Sequence, residues 1–323
     1  MKNNLFESEQ KKILIVGGAG YVGLHLSNRF VDYGYDITIL TPNIKKISSL
    51  DFIKNTNLIV GSVMDDSLLE RLIKNKDVVI NLAGFKDKKN NDPVKSFELN
   101  CLGELNVLKS IAKINPSAHH IFTGTREQFG KIGKNGELIN EEQPQRPRTF
   151  YGINKHLCEH YLNSYHELEN LKIASLRLVG IYGPSLMGEP KHFVYHMIKR
   201  ALNGEDLILN ENGRQIQDFM YIDDLVNLIQ EIAKEGIEGI YNVGSGEGIS
   251  MGKIAKMITE KSSTNNKITY KSLNPKENYL DLDGCIMDLT KIKSVTKWEP
   301  KTTLNEGLDQ TIKWFRNKEV QSK

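Results

Sequence analysis

The segment that most constrains the fold is Lys11–Phe30, which reads KKILIVGGAGYVGLHLSNRF. Its apolar run at 13–16 predicts a buried strand. A turn with Gly17, Gly20 and Gly23 follows, and apolar residues at helical spacing come after it. A glycine turn lets the backbone approach a pyrophosphate closely, and a helix start offers that group N–H donors and a partial positive charge. This order therefore favours a dinucleotide-binding turn over a purely structural one.

Apolar runs and helical patterns alternate through the first 180 residues. The predicted strands are Ile13–Val16, Ile37–Leu40, Leu58–Val60, Val78–Leu82, His120–Phe122 and Ile173–Leu178, and the clearest predicted helices are Asp66–Lys74, Pro93–Ile114 and Tyr151–Glu169. Such alternation is typical of an α/β fold in which a doubly wound parallel sheet carries helices on both faces. A ligand is then expected at the carboxyl ends of the strands.

The pattern loosens after Gly180. The sequence predicts a helix over His192–Leu202, a polar segment, a helix over Asp223–Lys234 and a strand over Ile240–Val243, and the last eighty residues indicate short helices and loops. We therefore expect a Rossmann-type dinucleotide-binding domain and a smaller, discontinuous substrate-binding region that shares its core. The expected boundaries are residues 1–179 and 219–243 for the domain, and residues 180–218 and 244–323 for the substrate-binding region.

The composition argues against several classes of protein. The 43 basic and 40 acidic residues leave a net charge of only +3, and no basic block is interleaved with aromatic residues, so nucleic-acid binding is not expected. The sequence has no signal-peptide pattern and no run of about eighteen apolar residues, so we expect a cytoplasmic protein without a membrane span. The widely spaced Cys101, Cys158 and Cys285 are typical of free thiols in a reducing compartment.

Tyr151 and Lys155 lie four residues apart on a predicted helix, so their side chains share one face. A nearby ammonium group favours phenolate and lowers the pKa of a tyrosine, which would make Tyr151 a general acid or base for interconversion of a carbonyl and an alcohol. Tyr195 and Lys199 repeat this spacing. The first pair is preferred because it follows the fifth predicted strand and a threonine-rich turn, whereas the second follows the end of the alternating region and fits a chance repeat.

The fifth predicted strand ends in Thr123–Gly130, which reads TGTREQFG. A hydroxyl at the carboxyl end of a parallel strand points into the ligand crevice, where it can form a hydrogen bond with a substrate oxygen. The alternative is a threonine that stabilises its own turn.

With these motifs in this order, the chain resembles the extended short-chain dehydrogenase/reductase family, and within it the NAD(P)-dependent epimerases, reductases and dehydratases of nucleotide sugars. The resemblance covers nearly the whole chain. The motifs that carry it are GGAGYVG at 17–23, NLAG at 81–84, Asn100 with Gly103 and Asn106, TGTREQFG at 123–130, YGINK at 151–155, LRLVGIYGP at 176–184, QDFMYIDD at 217–224, YNVGSGE at 241–247 and the turn Trp298–Pro300.

The resemblance implies roles for individual residues. Tyr151 would be the catalytic acid or base, Lys155 its partner and Thr125 the active-site hydroxyl. Glu127 would be an accessory residue, as would Asn100, whose alternative role is to shape a helix. The residues expected to bind the cofactor are Gly17, Gly20, Tyr21, Val22, Gly23, Thr41, Lys45, Ser62, Val63, Leu82, Ala83, Gly84, Tyr151 and Lys155. The resemblance also implies a homodimer formed through the helices at 93–114 and 149–169.

Thr41 decides the expected cofactor. NAD-specific relatives usually place Asp or Glu at the end of the second strand, where it accepts a hydrogen bond from the ribose 2′-hydroxyl. Thr41 removes that carboxylate and its repulsion of a 2′-phosphate, and Lys45 and Lys46 lie within reach, so NADP is favoured and NAD is the alternative. Ser62 replaces the acid with which the family contacts adenine.

Other departures from the family pattern concern the substrate. Arg126 takes the place of the acid that family dehydratases carry after the catalytic threonine, which disfavours a 4,6-dehydratase. Gln217 replaces the arginine that commonly binds the substrate diphosphate, and Arg214 and Arg177 are candidate replacements. His192, four residues before His196, is expected to line the substrate pocket and not to bind a metal, because no third ligand is evident.

The sequence therefore predicts hydride transfer at C4 of a nucleotide-activated sugar. A 4-keto-sugar reductase that consumes NADPH is preferred, and the alternative is a 4-epimerase that retains its cofactor and returns hydride to the other face of the sugar. A 4,6-dehydratase and a cofactor-binding scaffold without activity are the remaining alternatives. The intact set Thr125, Tyr151 and Lys155 speaks against the scaffold.

Overall fold

The computed structural model describes residues 10–44, 47–86, 92–131, 135–188, 192–280 and 284–321. Its strands are β1 (Lys12–Val16), β2 (Asp36–Thr41), β3 (Asn57–Val60), β4 (Val78–Asn81), β5 (His119–Thr125), β6 (Glu137–Ile139), β7 (Ile173–Leu178), β8 (Gly180–Tyr182), β9 (Leu207–Asn210), β10 (Ile216–Tyr221), β11 (Gly239–Val243), β12 (Gly248–Ser250), β13 (Ile268–Lys271) and β14 (Cys285–Met287). Its α-helices are α1 (Tyr21–Asp32), α2 (Asp66–Ile73), α3 (Pro93–Phe97), α4 (Gly103–Ile114), α5 (Phe150–Glu169), α6 (Phe193–Leu202), α7 (Ile222–Glu235), α8 (Met251–Ser262), α9 (Pro275–Leu280), α10 (Thr290–Val295) and α11 (Leu304–Gln321). Short 3₁₀ helices span Asp51–Asn55 and Arg126–Gln128, and a π-helical turn spans Glu98–Leu102.

A seven-stranded parallel sheet in the order β11-β7-β5-β4-β1-β2-β3 confirms the predicted α/β fold with a doubly wound sheet. Each strand predicted in the first 180 residues, and the one predicted at 240–243, coincides with a strand of this sheet. Strand β1 lies between β2 and β4, with Val16 opposite Leu40 on one side and Asn81 on the other. The strand order reverses between β1 and β4, which places the expected ligand crevice at their carboxyl ends.

The chain divides into two compact units. The first comprises the described residues of Met1–Thr123, Leu157–Ser175 and Ile232–Gly239, and the second those of Gly124–His156, Leu176–Glu231 and Ile240–Lys323. In the first unit, Leu69 of α2 and Leu108 and Ile111 of α4 are fully buried in one cluster with Leu14 and Val79 of the sheet. Full burial of such a side chain contributes about 1.5–3 kcal/mol, so this cluster is a main source of the stability of the unit.

The predicted helix Pro93–Ile114 is interrupted, since α3 and α4 are separated by the π-helical turn. Asn100 lies in that turn. Its amide donates to the carbonyl of Phe85 and accepts from the N–H of the same residue, both at 2.7 Å. It also donates to the hydroxyl of Ser96 at 3.1 Å. A π-helical turn inserts one extra residue into a helix, and the apolar period that predicts a helix does not reveal a single insertion.

His119, at the start of β5, is a buried neutral imidazole. The residue is 5% exposed, and its Nε2 lies 3.1 Å from the carbonyl oxygen of Ile237, to which it donates. Burial lowers the pKa of His119 to about 4, and the adjacent His120 adds to this effect. In an unfolded chain the pKa of a histidine is about 6.5, so folding excludes a proton between these two values.

We therefore expect the free energy of unfolding to fall as the pH is lowered from about 6.5 towards 4, because the unfolded state binds the proton that the folded state excludes. From pH 7 to pH 5 the loss due to His119 should be about 2 kcal/mol. Urea unfolding at both pH values, for the wild type and His119→Gln, checks this. The glutamine retains a donor for Ile237 and does not titrate. Between pH 7 and pH 5 the free energy of unfolding should therefore fall by about 2 kcal/mol less in the variant than in the wild type. An equal fall in both proteins would contradict the burial of a neutral His119.

The second unit contains three smaller sheets and most of the remaining helices. A three-stranded sheet has the order β12-β10-β8, while β13 pairs with β9 and β14 pairs with β6. Tyr195 of α6 is buried, and its ring centroid lies 4.5 Å from that of Phe315 and 6.1 Å from that of Trp314, both on α11. The tyrosine of the second Tyr-x-x-x-Lys repeat therefore belongs to the core of this unit.

The expectation of short helices and loops in the last eighty residues is wrong in two respects. Helix α11 has 18 residues, and its buried Leu308, Ile312 and Phe315 have the spacing of one helical face, a signal that the sequence contains. The region also holds β12, β13 and β14, and the polar segment at 203–219 holds β9 and the start of β10. Strands of three or four residues with partners far away in the sequence leave no local period to detect.

The boundaries between the expected cofactor and substrate regions stay a prediction, because the two compact units are defined by packing and not by ligand binding. No helix among the described residues is long and apolar enough to cross a membrane.

Candidate active site

The glycine turn joins β1 to α1 in the first unit. Gly17 has a φ of +75°, which L side chains rarely adopt, and a Cβ at this position would lie 2.6 Å from the backbone nitrogen of Ala83. Gly20 is the N-cap of α1. A Cβ on Gly23 would lie 2.6 Å from the backbone of Gly18, which belongs to the same turn. Glycine at 17 and 23 therefore lets the helix begin directly against the turn and against the end of β4.

The start of α1 suits an anion. The first N–H groups of a helix have no carbonyl partner within it, and the first turn of α1, which begins with Tyr21 and Val22, contains no acidic residue. The residues Leu82, Ala83 and Gly84 follow β4 directly, and the N–H of Leu82 donates to the carbonyl of β1 residue Val16 at 2.9 Å. A partial positive charge beside a glycine-rich turn fits a pyrophosphate group.

Three predicted cofactor residues, Thr41, Ser62 and Val63, lie at or just after the carboxyl ends of the neighbouring strands β2 and β3. Thr41 ends β2 and is buried, and its hydroxyl shares two long hydrogen bonds, of 3.3 and 3.4 Å, with the backbone of Asn43. Ser62 accepts from the N–H of Met64 at 3.1 Å, and Val63 is buried beside it. The hydroxyls of Thr41 and Ser62 thus form hydrogen bonds with the backbone of the turns in which they lie. Lys45 lies outside the described residues.

In the second unit, β5 ends at Thr125. Its hydroxyl accepts from the N–H of Glu127 at 3.3 Å, and the side-chain carbonyl of Gln128 accepts from the N–H of Thr125 at 2.8 Å, so a single 3₁₀ turn begins here. Thr125 therefore stabilises its own turn, which was the alternative to a substrate contact. The two roles are compatible, because the hydroxyl only accepts in this contact and its own hydrogen is not used in it.

Helix α5 carries Tyr151 and Lys155 on its first two turns. Lys155 is only 2% exposed, and its Nζ lies 5.9 Å from the centroid of the Tyr151 ring. Lysine is almost never buried to this extent unless a partner holds it. Burial of the ammonium group beside a half-buried tyrosine is an arrangement that stabilises negative charge on the phenolic oxygen.

Glu127 joins the 3₁₀ turn to the start of α5. Its carboxylate accepts from the hydroxyl of Thr149 at 2.6 Å, and that hydroxyl accepts from the N–H of Gly152 at 3.0 Å. A Cβ on Gly152 would lie 2.6 Å from the carbonyl oxygen of Glu127. These contacts hold the turn that follows Thr125 against the helix that carries Tyr151. Sequence reasoning missed Thr149, although a threonine just before a helical pattern is an N-cap signal.

The residues predicted to bind substrate have different environments. Gln217 is buried in β10, Arg214 is exposed, and Arg126 is half-buried directly after Thr125. Burial raises the pKa of the Cys285 thiol, and the nearby Arg126 guanidinium opposes that rise. Arg126 thus directly follows Thr125 and lies near Cys285, while Arg214 lies on the surface.

His192 is the N-cap of α6. Its Nδ1 accepts from the N–H of Tyr195 at 3.1 Å, so this nitrogen is part of the helix start. Burial lowers the pKa of His192 to about 4, and His196 adds to the effect. The imidazole is therefore neutral at physiological pH. Its expected place in the substrate pocket stays a prediction.

Asp218 is a structural residue that sequence reasoning missed. It is fully buried, and its carboxylate accepts from the backbone N–H groups of Ser245, Gly246 and Met287 at 2.9, 3.2 and 3.2 Å and from the hydroxyl of Ser245 at 2.6 Å. A carboxylate directly before the apolar residues Phe219–Tyr221 of β10 is the available signal, because a buried charge requires partners.

Within the ranges that the structure describes, no group of three His, Cys, Asp or Glu side chains is arranged to hold a metal ion. Cys101, Cys158 and Cys285 are buried free thiols.

The chain is similar to known proteins along most of its length. The NAD dependent epimerase/dehydratase family matches residues 13–244. The UDP-N-acetyl-alpha-D-glucosaminuronate decarboxylase of Bacillus cytotoxicus is 29% identical over 323 residues, which cover 95% of this chain and 98% of the relative. The structure of UDP-glucose 4-epimerase from Thermotoga maritima with UDP-glucose has a TM-score of 0.84 at 26% identity and covers 95% of this chain and 99% of its own. The UDP-glucose 4-epimerase of Thermus thermophilus with NAD has a TM-score of 0.83 at 26% identity, with coverage of 94% and 99%.

Proposed function

Because the chain belongs to the NAD dependent epimerase/dehydratase family, we propose that it transfers hydride between a nicotinamide dinucleotide and C4 of a nucleotide sugar. The observation that carries the proposal is the pairing of Tyr151 with the nearly fully buried Lys155. Their helix start is held against the turn that follows Thr125, so that the three groups expected for this chemistry belong to one compact unit. The relative described with UDP-glucose supports a nucleotide-sugar substrate.

Tyr151 is the acid and base of this reaction. Its phenolate accepts the proton of the C4 hydroxyl in the oxidising direction, and its phenol returns a proton to the C4 oxygen in the reducing direction. Lys155 stabilises the phenolate because its ammonium group lies beside the ring. The Thr125 hydroxyl donates a hydrogen bond to the C4 oxygen. When bound, the nicotinamide supplies the hydride acceptor and donor.

The glycine turn holds the cofactor pyrophosphate in this proposal. Gly17 and Gly23 leave the room that close approach of the backbone requires, and the start of α1 supplies the partial positive charge. Thr41 and Ser62 border the adenosine. NADP is accepted as well as NAD, since β2 ends in Thr41 and places there no carboxylate that would repel a 2′-phosphate. The Thermus enzyme described with NAD supports the latter.

Two outcomes share this chemistry. A 4-epimerase returns hydride to the other face of the 4-keto sugar and retains its cofactor, and similarity to two UDP-glucose 4-epimerases over nearly their whole length favours it. A 4-keto-sugar reductase consumes NADPH, and Thr41 favours it through the choice of cofactor. In both reactions Arg126 contacts the substrate, because it is half-buried and directly follows Thr125.

A homodimer formed through the helices at 93–114 and 149–169 is part of the proposal. In the first unit, Val94 and Phe97 of α3 and Tyr161 and Leu168 of α5 are exposed, with Leu168 81% exposed. Where such side chains form one contiguous patch, they mark a site that another chain covers.

The proposed function is tested by mixing the purified protein with NADH or NADPH and nucleotide 4-keto sugars, and separately with UDP-glucose or UDP-glucuronic acid and the oxidised dinucleotides. Equimolar loss of the reduced-nicotinamide absorbance with a 4-keto sugar indicates a reductase. Conversion of UDP-glucose to its C4 epimer without net change in that absorbance indicates an epimerase. Release of carbon dioxide from UDP-glucuronic acid indicates a decarboxylase; the Bacillus relative is a decarboxylase of a different sugar, UDP-N-acetyl-alpha-D-glucosaminuronate. No change in any sugar would contradict the proposed function.

A further inference from the structure

Three buried polar side chains form a chain of hydrogen bonds through the first unit. His120 lies on β5, Glu104 on α4 and Asn81 at the end of β4; the first two are 0% exposed and Asn81 is 3% exposed. The Nε2 of His120 lies 2.6 Å from Oε1 of Glu104, and the amide nitrogen of Asn81 donates to Oε2 of Glu104, also at 2.6 Å. These hydrogen bonds therefore connect β5 through helix α4 to the end of β4.

The contacts of His120 limit where the protons lie. Its Nδ1 is 3.0 Å from the carbonyl oxygen of Val79, which can only accept, so Nδ1 carries a hydrogen. The contact with Glu104 then holds one proton, and the pair is either imidazolium with carboxylate or imidazole with carboxylic acid. In both forms Oε2 of Glu104 remains an acceptor, so the amide nitrogen of Asn81 is held there.

The other end of the Asn81 amide reaches the glycine turn. With its nitrogen held by Glu104, the amide oxygen faces the N–H of Ala83 and accepts from it at 2.9 Å. That backbone nitrogen is the atom that a Cβ on Gly17 would approach to 2.6 Å. The segment Leu82–Gly84 is thus the wall of the glycine turn, and the orientation of Asn81 sets the position of this wall.

A contribution to stability does not by itself explain why Glu104 and His120 are buried together. Removing a carboxylate and an imidazole from water carries a large desolvation penalty, and apolar replacement of both partners of a buried pair is often neutral or stabilising. What an apolar pair at 104 and 120 would lose is an acceptor for the amide nitrogen of Asn81. We propose that Glu104 and His120 are positioning residues for the bound dinucleotide, acting through Asn81 on the segment 82–84; this inference rests on the proposed function.

The test measures the dissociation constants of NADH and NADPH by nicotinamide fluorescence, on proteins whose folding is checked by circular dichroism. The double variant Glu104→Leu with His120→Leu leaves no unpaired charge, so it should fold. Its thermal midpoint should be lower than that of the wild type, because the buried amide nitrogen of Asn81 loses its acceptor. We expect it to bind the preferred dinucleotide about tenfold more weakly. Glu104→Gln retains an acceptor for Asn81 and a donor for the imidazole, and should bind within about twofold of the wild type.

Ile111→Ala is the matched control. Ile111 is fully buried on the same helix but takes no part in the hydrogen-bond chain, so this variant should lower the thermal midpoint and leave the dissociation constant within about twofold. If the double variant does not fold, Glu104→Leu alone takes its place, since it leaves unpaired only Nε2 of His120 and the amide nitrogen of Asn81.

Three results would overturn the inference: wild-type affinity in the variant that lacks Glu104, weakening by Glu104→Gln as large as that by leucine, or equal weakening by Ile111→Ala. Binding of neither dinucleotide by the wild type would instead overturn the proposed function.

Discussion

Replacing Tyr151 with Phe should lower kcat by about 10³-fold, because the ring remains in place while the group that exchanges a proton with the C4 oxygen is removed. Lys155 would keep its position beside the ring, from whose centroid its Nζ lies 5.9 Å. The dissociation constant of the dinucleotide should therefore stay within about threefold of the wild-type value. Steady-state kinetics on the substrate found by the sugar panel, together with fluorescence titration of the cofactor, measure the two quantities.

The chain supplies its own control for this experiment. Tyr195 stands four residues before Lys199 just as Tyr151 stands before Lys155, but its ring is packed against Phe315 and is only 2% exposed. Tyr195→Phe should leave kcat within about twofold of the wild type. A Tyr151→Phe protein that keeps its turnover, or an equal loss in both variants, would contradict the assignment of the acid and base.

The elements around the dinucleotide crevice follow from local patterns. A buried parallel strand is a continuous apolar run, as at 13–16 and 78–80. The glycines at 17, 20 and 23 follow the first of these runs directly, which lets the helix start against the turn. These signals lie within a few residues of one another. The strands of the parallel sheet and the place of the glycine turn could therefore be predicted from the sequence.

The buried hydrogen bonds could not be predicted from the sequence, because they join side chains that are distant along the chain. His120 begins a run that predicts an apolar strand, and only the structure places Glu104 within hydrogen-bond distance of it. Pairwise contacts of this kind have no period, and a single sequence does not specify them.

Asp218 is the strongest example of such a contact. Its carboxylate accepts four hydrogen bonds from two separate segments, Ser245–Gly246 and Met287. The backbone of Gly244 also lies close to the carboxylate, since a Cβ on this glycine would lie 2.4 Å from Oδ2 of Asp218. Burial raises the pKa of this carboxyl, and the four hydrogen bonds oppose that rise. One side chain thus joins β10 to β14 and to the segment between β11 and β12.

Replacing Asp218 with Ala should destabilise the protein by about 4 kcal/mol, because three backbone N–H groups and one hydroxyl would lose their acceptor in a buried place. For a unit of this size the thermal midpoint should fall by roughly 10 °C, which differential scanning calorimetry measures. Asp288→Ala is the matched control, since Asp288 is half-buried just after β14 and accepts from the N–H of Thr290 at 2.8 Å. The free energy of unfolding of that variant should be lower than the wild-type value by no more than about 1 kcal/mol. Similar midpoints for the two variants would mean that the donors around Asp218 find other acceptors, and that the carboxylate does not hold these segments together.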